Sequence, residues 1–294
     1  MSTVERTPAL LARRRRAARA VSEPPGRVPD ELLGAVSVVV PCYNTSTVIA
    51  PVLRALVEET EGAIDEVLVI DNASTDGTPE VVRALIAESP LMAKRIRMLE
   101  NPTNLGYGGS IKRGFRHLEV IAPYIAVMHS DAQCAAAETI LDMVEAFGRD
   151  PEPDVVLASR FVAGADTSDY NLVRRWANHF FNAFTRVVCG VSMSDAGTGI
   201  MLARTEAVQR MPLERLTSGY QFHPQLNLLF HSDPDLTIAE VPMEWRDAET
   251  SVRFSLVRYG LVLTRMLLRF GWRRRILRRD AADAVVLPFS GAGA

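Results

Sequence analysis

The chain has 294 residues, 48% of them hydrophobic, enough to bury the core of one large α/β domain or two small ones. Its formal net charge of −2 is unevenly spread: residues 1–27 carry seven arginines against two glutamates, residues 253–279 nine arginines and no acid, and the body between them −14. No stretch approaches eighteen consecutive apolar residues, and no apolar segment follows the basic run at 13–16, so neither a membrane-spanning helix nor a signal peptide is expected and the chain reads as cytoplasmic.

Cys42, Cys134 and Cys189 are widely spaced and form no C-x-x-C pair, which reads as reduced structural thiols rather than zinc or redox chemistry. Residues 1–33 are low in complexity, contain a Pro-Pro-Gly turn and read as a mobile basic arm. Residues 36–40 form a β-branched run ending at Pro41, the pattern of a buried parallel strand. Thr45, Ser46 and Thr47 then offer N-caps to a helix carrying Val48, Val52, Leu53, Leu56 and Val57 on one face. The unit repeats with a strand at 66–70, a polar loop and a helix through Val81, Val82, Leu85 and Ile86. Strands at 97–99 and 124–128 and helices at 107–118 and 137–147 continue the alternation, which predicts a mostly parallel sheet covered by helices. Beyond residue 153 the pattern loosens to a strand at 155–158, an aromatic-rich helix at 172–188 and strands near Ile200 and Ile238.

In open α/β sheets ligands sit beyond the carboxyl ends of the strands, so the polar segments after 40, 70, 99 and 128 should share one cleft. The loop from Asp71 and Asn72 through Ser74 to Asp76, Gly77 and Thr78 can hydrogen-bond a base and ribose, or simply cap a helix through Thr75 or Asp76. Asn104, Gly106, Gly108, Gly109 and Lys112 lie at a strand-to-helix junction. There glycines let a backbone approach a diphosphate, and Lys112 and Arg113 can add cationic contacts. This is neither a Walker loop nor a dinucleotide fingerprint. In the segment 128–133, Asp131 and Gln133 can serve as hard oxygen ligands for a divalent ion or simply form a turn, while His129 can be a ligand, a supporting donor or a strand-end residue.

Six runs stand in order: Val-Pro-Cys-Tyr-Asn (40–44), Val-Ile-Asp-Asn-Ala-Ser-Thr-Asp-Gly-Thr (69–78), Asn-Leu-Gly-Tyr-Gly-Gly (104–109), His-Ser-Asp-Ala-Gln (129–133), Ala-Ser-Arg (158–160) and Asp-Ala-Gly-Thr-Gly (195–199). Together they resemble the family 2 glycosyltransferases, above all the dolichyl- or polyprenyl-phosphate mannosyl- and glucosyltransferases. The resemblance implies a GT-A fold over residues 34–250, with a nucleotide-sugar half (34–135) and an acceptor half (136–250). It implies Pro41, Tyr43, Asn44, Asp71, Asn72 and Asp76 around the nucleoside, with Asn104, Gly106, Gly109, Lys112 and Ser130 beside it. Asp131 with Gln133 corresponds to the metal-binding part of the family's D-x-D signature, implying Mg2+ or Mn2+. His129 departs from that signature, standing where its first aspartate usually lies, and Gln221-Phe222-His223 departs where related enzymes more often carry acidic residues.

Arg160 is the best candidate for a contact to diphosphate or an anionic acceptor, with Arg174 and Arg175 behind it. Asp195 is the best candidate base near the acceptor, although a phosphate acceptor needs none. Residues 251–279 read as an amphipathic basic helix, with Arg258, Arg265 and Arg269 in one stripe and Leu256, Leu261, Leu263, Met266, Leu267, Leu268 and Phe270 filling most of the rest. A helix packed on the core or in a homo-oligomer reads similarly. Residues 280–294 read as a flexible tail. The expectation is an inverting enzyme, peripheral at the cytoplasmic membrane face, moving sugar from GDP-mannose or a UDP-hexose to polyprenyl phosphate. An anionic membrane is its partner, and no nucleic acid is. Two rivals remain: transfer to a soluble hydroxyl compound, and a non-catalytic protein that only binds nucleotide-sugar.

Overall fold

A computed structural model describes residues 28–118, 122–246 and 256–285; the expected basic arm up to residue 27, residues 247–255 and residues 286–294 lie outside them. Strands β1 (Val36–Cys42), β2 (Ile64–Asp71), β3 (Ile96–Glu100), β4 (Tyr124–Val127), β5 (Val155–Ser159), β6 (Met201–Arg204) and β7 (Ile238–Pro242) form one sheet in the order β3-β2-β1-β4-β6-β5-β7. All pairings are parallel except those of β6, which runs antiparallel to both β4 and β5. The reversal carries residues 195–200, just before β6, to the edge where the carboxyl ends of the other strands lie.

The helices are α1 (Ile49–Glu58), α2 (Thr78–Glu88), α3 (Pro90–Arg95), α4 (Tyr107–Leu118), α5 (Ala136–Phe147), α6 (Leu172–Cys189), α7 (Thr205–Gln209), α8 (Phe222–Phe230), α9 (Leu256–Gly271) and α10 (Ala281–Val285). They cover both faces of the sheet. Because side chains alternate along a strand, Val36, Val38 and Val40 pack with Leu53, Leu56, Val82, Ile140 and Met143 on one face. Val39, Leu68 and Ile70 pack with Ile111, Phe115, Phe222, Met266 and Phe270 on the other.

Several local expectations change. The side chains of Thr45, Ser46 and Thr47 do not cap α1; instead the Thr45 and Ser46 amides donate to Thr78 Oγ1 and Asp76 Oδ2, each at 2.9 Å, tying two loops together. The core reaches back before Leu33, with Val28 and Leu32 both buried in it. Residues 281–285 are helical rather than a flexible tail, with Ala284 and Val285 buried and Asp283 paired to Arg215 at 3.0 Å. Helix α8 has every residue buried, so it lacks the two-faced pattern by which a surface helix is read from sequence. Helix α9 packs its Leu263, Met266, Leu267 and Phe270 into the core and is not a detached interfacial element, while Leu261 and Leu268 on its outer side stay exposed.

Helices α6 and α9 lie side by side in the same direction: Gly260 faces the Phe181 ring, Cys189 Sγ sits 3.6 Å from the Leu267 carbonyl, and Gly271 abuts Val188. A methyl on Gly271 would run into the Val188 carbonyl oxygen, whereas one on Gly260 would lie 3.5 Å from Phe181. Helix propensity favours alanine by about 1 kcal/mol at both positions, but overpacking costs about 1–3 kcal/mol. Urea denaturation should therefore show Gly271→Ala less stable than the parent and Gly260→Ala equal or slightly more stable.

Candidate active site

The crevice opens where strand order turns, between β1 and β4. Ser130 Oγ donates to the Pro41 carbonyl at 3.0 Å, joining the loops after those two strands. The Asn44 amide donates to Ser74 Oγ at 2.9 Å and Asn44 Oδ1 accepts from the Thr75 amide at 2.8 Å, so the loop after β2 is bound to the loop after β1. Asp76 completes that tie, since its Oδ1 accepts from the Thr78 amide and hydroxyl at 3.0 and 2.6 Å while Oδ2 takes Ser46. Slight burial opposes ionisation there, but the hydrogen bonds from Thr78 and Ser46 prevail and hold the Asp76 carboxyl down at about 2. Asp71 is buried and accepts from the Ser74 amide at 3.1 Å, while Tyr43, 40% exposed, offers an open ring. Ala73 and Ala132 both adopt left-handed φ, 61° and 57°, a strained state for alanine and one concentrated at ligand-binding loops.

The asparagines form a network of their own. Asn72 donates to Asn104 Oδ1 at 2.8 Å and accepts from Asn101 Nδ2 and the Leu105 amide at 2.9 and 2.8 Å. The glycines beyond it also admit a close approach by another part of the chain. A Cβ on Gly108 would lie 2.6 Å from Phe222 Cβ, one on Gly106 would strike the Ser218 carbonyl, and the Gly109 amide donates to that carbonyl at 3.1 Å. The turn is therefore closed against residues 217–222. Lys112 is buried and donates to the Leu216 carbonyl at 3.2 Å, with burial lowering its pKa, and Arg113 bonds the Glu100 carbonyl and Asn101. Both cations are committed to the chain itself.

Asp131 is half-buried just past β4, and among the described residues its Oδ1 accepts one long bond, 3.3 Å, from the Gln133 amide. His129 turns elsewhere: Tyr107 Oη lies 3.1 Å from His129 Nε2 and 3.1 Å from His223 Nδ1. A hydroxyl has one proton, so Tyr107 donates to one ring and accepts from the other. Gly199 makes room for the group, since a Cβ there would sit 2.7 Å from both His129 Nε2 and Tyr107 Oη. Burial pushes the pKa of His223 down to about 3, assisted by His129, whose own pKa burial also lowers. Among the described residues no group of three or more His, Cys, Asp or Glu side chains could cage a metal. Asp131 and Gln133 fit instead an ion that brings diphosphate and water as its remaining ligands.

Arg160 and Asp195 form a buried fork-to-fork pair, Nε to Oδ2 and NH2 to Oδ1 both at 2.7 Å. Asp195 also accepts from the Arg160 and Gly197 amides at 3.2 Å, and the guanidinium packs over Trp245 at 5.1 Å. Burial opposes the charge on Arg160, but Asp195 outweighs it and raises the arginine's pKa. Helix α6 holds this pair from one side: Asn178 donates to Tyr170 Oη at 2.7 Å, which accepts from Arg160, and Asn182 Oδ1 takes the Ala196 amide at 3.0 Å. The expected base and the expected phosphate contact are thus occupied by each other. Arg174 and Arg175 sit in the first turns of α6.

The sequence profile of glycosyl transferase family 2 matches residues 37–211, more than half of the chain. The chain belongs to that family. The chain is 26% identical over 260 residues to glycosyltransferase AglD of Haloferax volcanii, covering 86% of this chain but 40% of that protein. To the undecaprenyl-phosphate mannosyltransferase of Micrococcus luteus it is 26% identical over 217 residues, 73% of this chain and 84% of the other. The crystal structure of glucosyl-3-phosphoglycerate synthase from Mycobacterium tuberculosis with UDP superposes with a TM-score of 0.62 at 19% identity, over 92% and 89% of the two chains. The fold is GT-A-like, as the motif series implied.

In this glycosyltransferase, sequence reasoning did not single out Tyr107 or Trp245 as partners of the site, and it named His223 only as a departure from the family's pattern. Trp245 packs on both His129, ring centroids 5.9 Å apart, and Arg160. A tyrosine between Gly106 and Gly108 was the only signal for the first, and a lone buried tryptophan carries none.

Two outcomes are expected. Removing one member of a buried ion pair costs about 3–5 kcal/mol, so Asp195→Ala should show a large loss in chemical denaturation, and a double Arg160→Met, Asp195→Leu replacement should recover much of it. His223 titrates near 6.5 when unfolded but at about 3 when folded. Between those values the unfolded chain binds a proton that the native chain does not, so stability should fall as pH drops below about 6.5, and more shallowly in His223→Asn.

Proposed function

We propose that this glycosyltransferase transfers a hexose from GDP-mannose or a UDP-hexose to polyprenyl phosphate at the cytoplasmic face of a membrane, with inversion at the anomeric carbon. The observation that carries the acceptor is the Arg160–Asp195 pair, because both oxygens of the best placed base are bonded. A hydroxyl acceptor must lose a proton as it attacks, whereas a phosphate oxygen is already ionised at neutral pH and needs no base. The undecaprenyl-phosphate relative supports the same class.

Tyr43 stacks on the nucleoside base, with Asp71, Asn72 and Asp76 as the polar wall of the pocket and Asn104 at its rim. Asp131, with the Gln133 amide oxygen, holds a divalent ion. The tuberculosis synthase has been solved with Mn2+ and UDP. When bound, Mg2+ or Mn2+ offsets the charge of the departing diphosphate. Asp131 presents a lightly bonded carboxylate to that ion, and the neutral His129, braced by Tyr107, shapes the loop without adding charge. The acceptor oxygen attacks from the face opposite the leaving group.

Turnover of a panel of nucleotide-sugars, with and without polyprenyl phosphate, tests the reading. Transfer to a soluble hydroxyl acceptor alone would favour the first rival, and nucleotide-sugar binding without turnover the second. Asp131→Ala should nearly abolish transfer while leaving denaturation within about 0.5 kcal/mol of the parent, since among the described residues its side chain makes one long hydrogen bond. Full activity of that variant in the presence of chelator would sink the metal assignment. His129→Asp should keep or tighten metal affinity.

A further inference from the structure

Helix α6 exposes an apolar stripe along its whole length: Val173 is 71% exposed, Trp176 75%, Phe180 60% and Val187 70%. These positions recur at helical spacing and point away from the core, which α6 meets through Thr185 and Cys189. Its neighbour α9 does the same on the side opposite its buried face, with Val257 74% exposed, Leu261 66%, Leu268 50% and, just beyond the helix, Trp272 59%. The two helices run side by side, so the stripes form one surface about 25 Å long at 1.5 Å per residue.

The charged side chains of these two segments are of one sign. Residues 172–189 and 256–279 together hold eleven arginines and no aspartate or glutamate. Turning about 100° per residue, Arg175 and Arg186 fall on the flank of α6 remote from α9, and Arg258, Arg265 and Arg269 on the flank of α9 remote from α6. An apolar centre therefore lies between two arginine rims. No helix among the described residues is long and apolar enough to cross a membrane, so contact with a bilayer would be lateral.

We propose that the paired outer faces of α6 and α9 form a docking surface for an anionic lipid bilayer, with Trp176, Phe180, Leu261, Leu268 and Trp272 entering the headgroup boundary and the arginines pairing with lipid phosphates. Tryptophans suit that boundary, and arginines reach it from the rim by extending their side chains. A second copy of the chain is disfavoured as occupant because a symmetric contact would bring like-charged rims together. The chain's own first 27 residues are disfavoured for the same reason, carrying seven arginines against two glutamates. The assignment goes beyond the acceptor reading, since it concerns binding to any anionic bilayer and is read without transfer.

The test uses the full chain with vesicles of phosphatidylcholine alone or with about one third phosphatidylglycerol. Co-sedimentation should occur with the anionic vesicles only. It should weaken as salt shortens the Debye length from about 10 Å at 0.1 M to 3 Å at 1 M. Of the three tryptophans, Trp245 is buried and Trp176 and Trp272 are exposed, so emission should shift to the blue on anionic vesicles. Phe180→Glu and Leu261→Glu, both at exposed sites, should each lower partitioning by about tenfold or more. Transfer to a short-chain, water-soluble acceptor should be unchanged in both. Equal binding to neutral vesicles, or undiminished binding by both variants, would overturn the proposal. A parent dimer that Phe180→Glu dissociates, with no vesicle binding, would assign the surface to a second copy instead.

Discussion

A guanidinium buried in a protein must be neutralised where it lies, and Arg160 is neutralised by Asp195 through two parallel hydrogen bonds. That requirement organises the second half of the molecule. Arg160 follows β5 and Asp195 precedes β6, so the pair closes the same sheet edge from two antiparallel strands. Helix α6 must lie against it to supply Asn178 and Asn182, and α9 in turn packs beside α6. The position of the outer apolar surface is thus inherited from an ion pair beside the crevice.

The first half obeys a different constraint. There the loops after β1, β2, β3 and β4 hold one another through short polar side chains, with Asn44, Asp76, Asn72 and Ser130 each bridging two segments. Such cross-bracing preorganises a ligand pocket before anything binds, so less ordering is left to oppose binding. It also means that several groups of the type that could touch a nucleotide already have partners. The Tyr43 ring stays exposed and the Asp131 carboxylate half-exposed.

The two halves meet at Tyr107, His129, His223 and Gly199. Tyr107 comes from the start of α4, His129 from just past β4, His223 from α8 and Gly199 from the loop before β6. Two neutral imidazoles joined by one hydroxyl place an uncharged brace beside the Asp131 segment. In the proposed reading the ion would then fall to Asp131, Gln133 and the diphosphate, which suits a site where a metal arrives with its substrate.

Much of this was legible in the amino-acid order. The β-branched runs and the helical periods are local patterns, so the alternation of strands and helices, the mostly parallel sheet and the bounds of α4, α5 and α6 follow from them within a residue or two, whereas the antiparallel β6 does not. The ordered motif series identified the family and marked the loops of the crevice. What each polar or small residue in those loops does was decided only by the tertiary structure. Asp195 lies 35 positions from Arg160, and His223 116 positions from Tyr107. The segment that presses on Gly106 and Gly108 is likewise more than a hundred residues away. No local pattern encodes such separations. A glycine reads the same whether it admits a phosphate or the backbone of a distant loop, and an apolar stripe reads the same whether it meets the core or the solvent. Only the packing of α6 and α9 on one side showed that each helix has a second apolar side left outward.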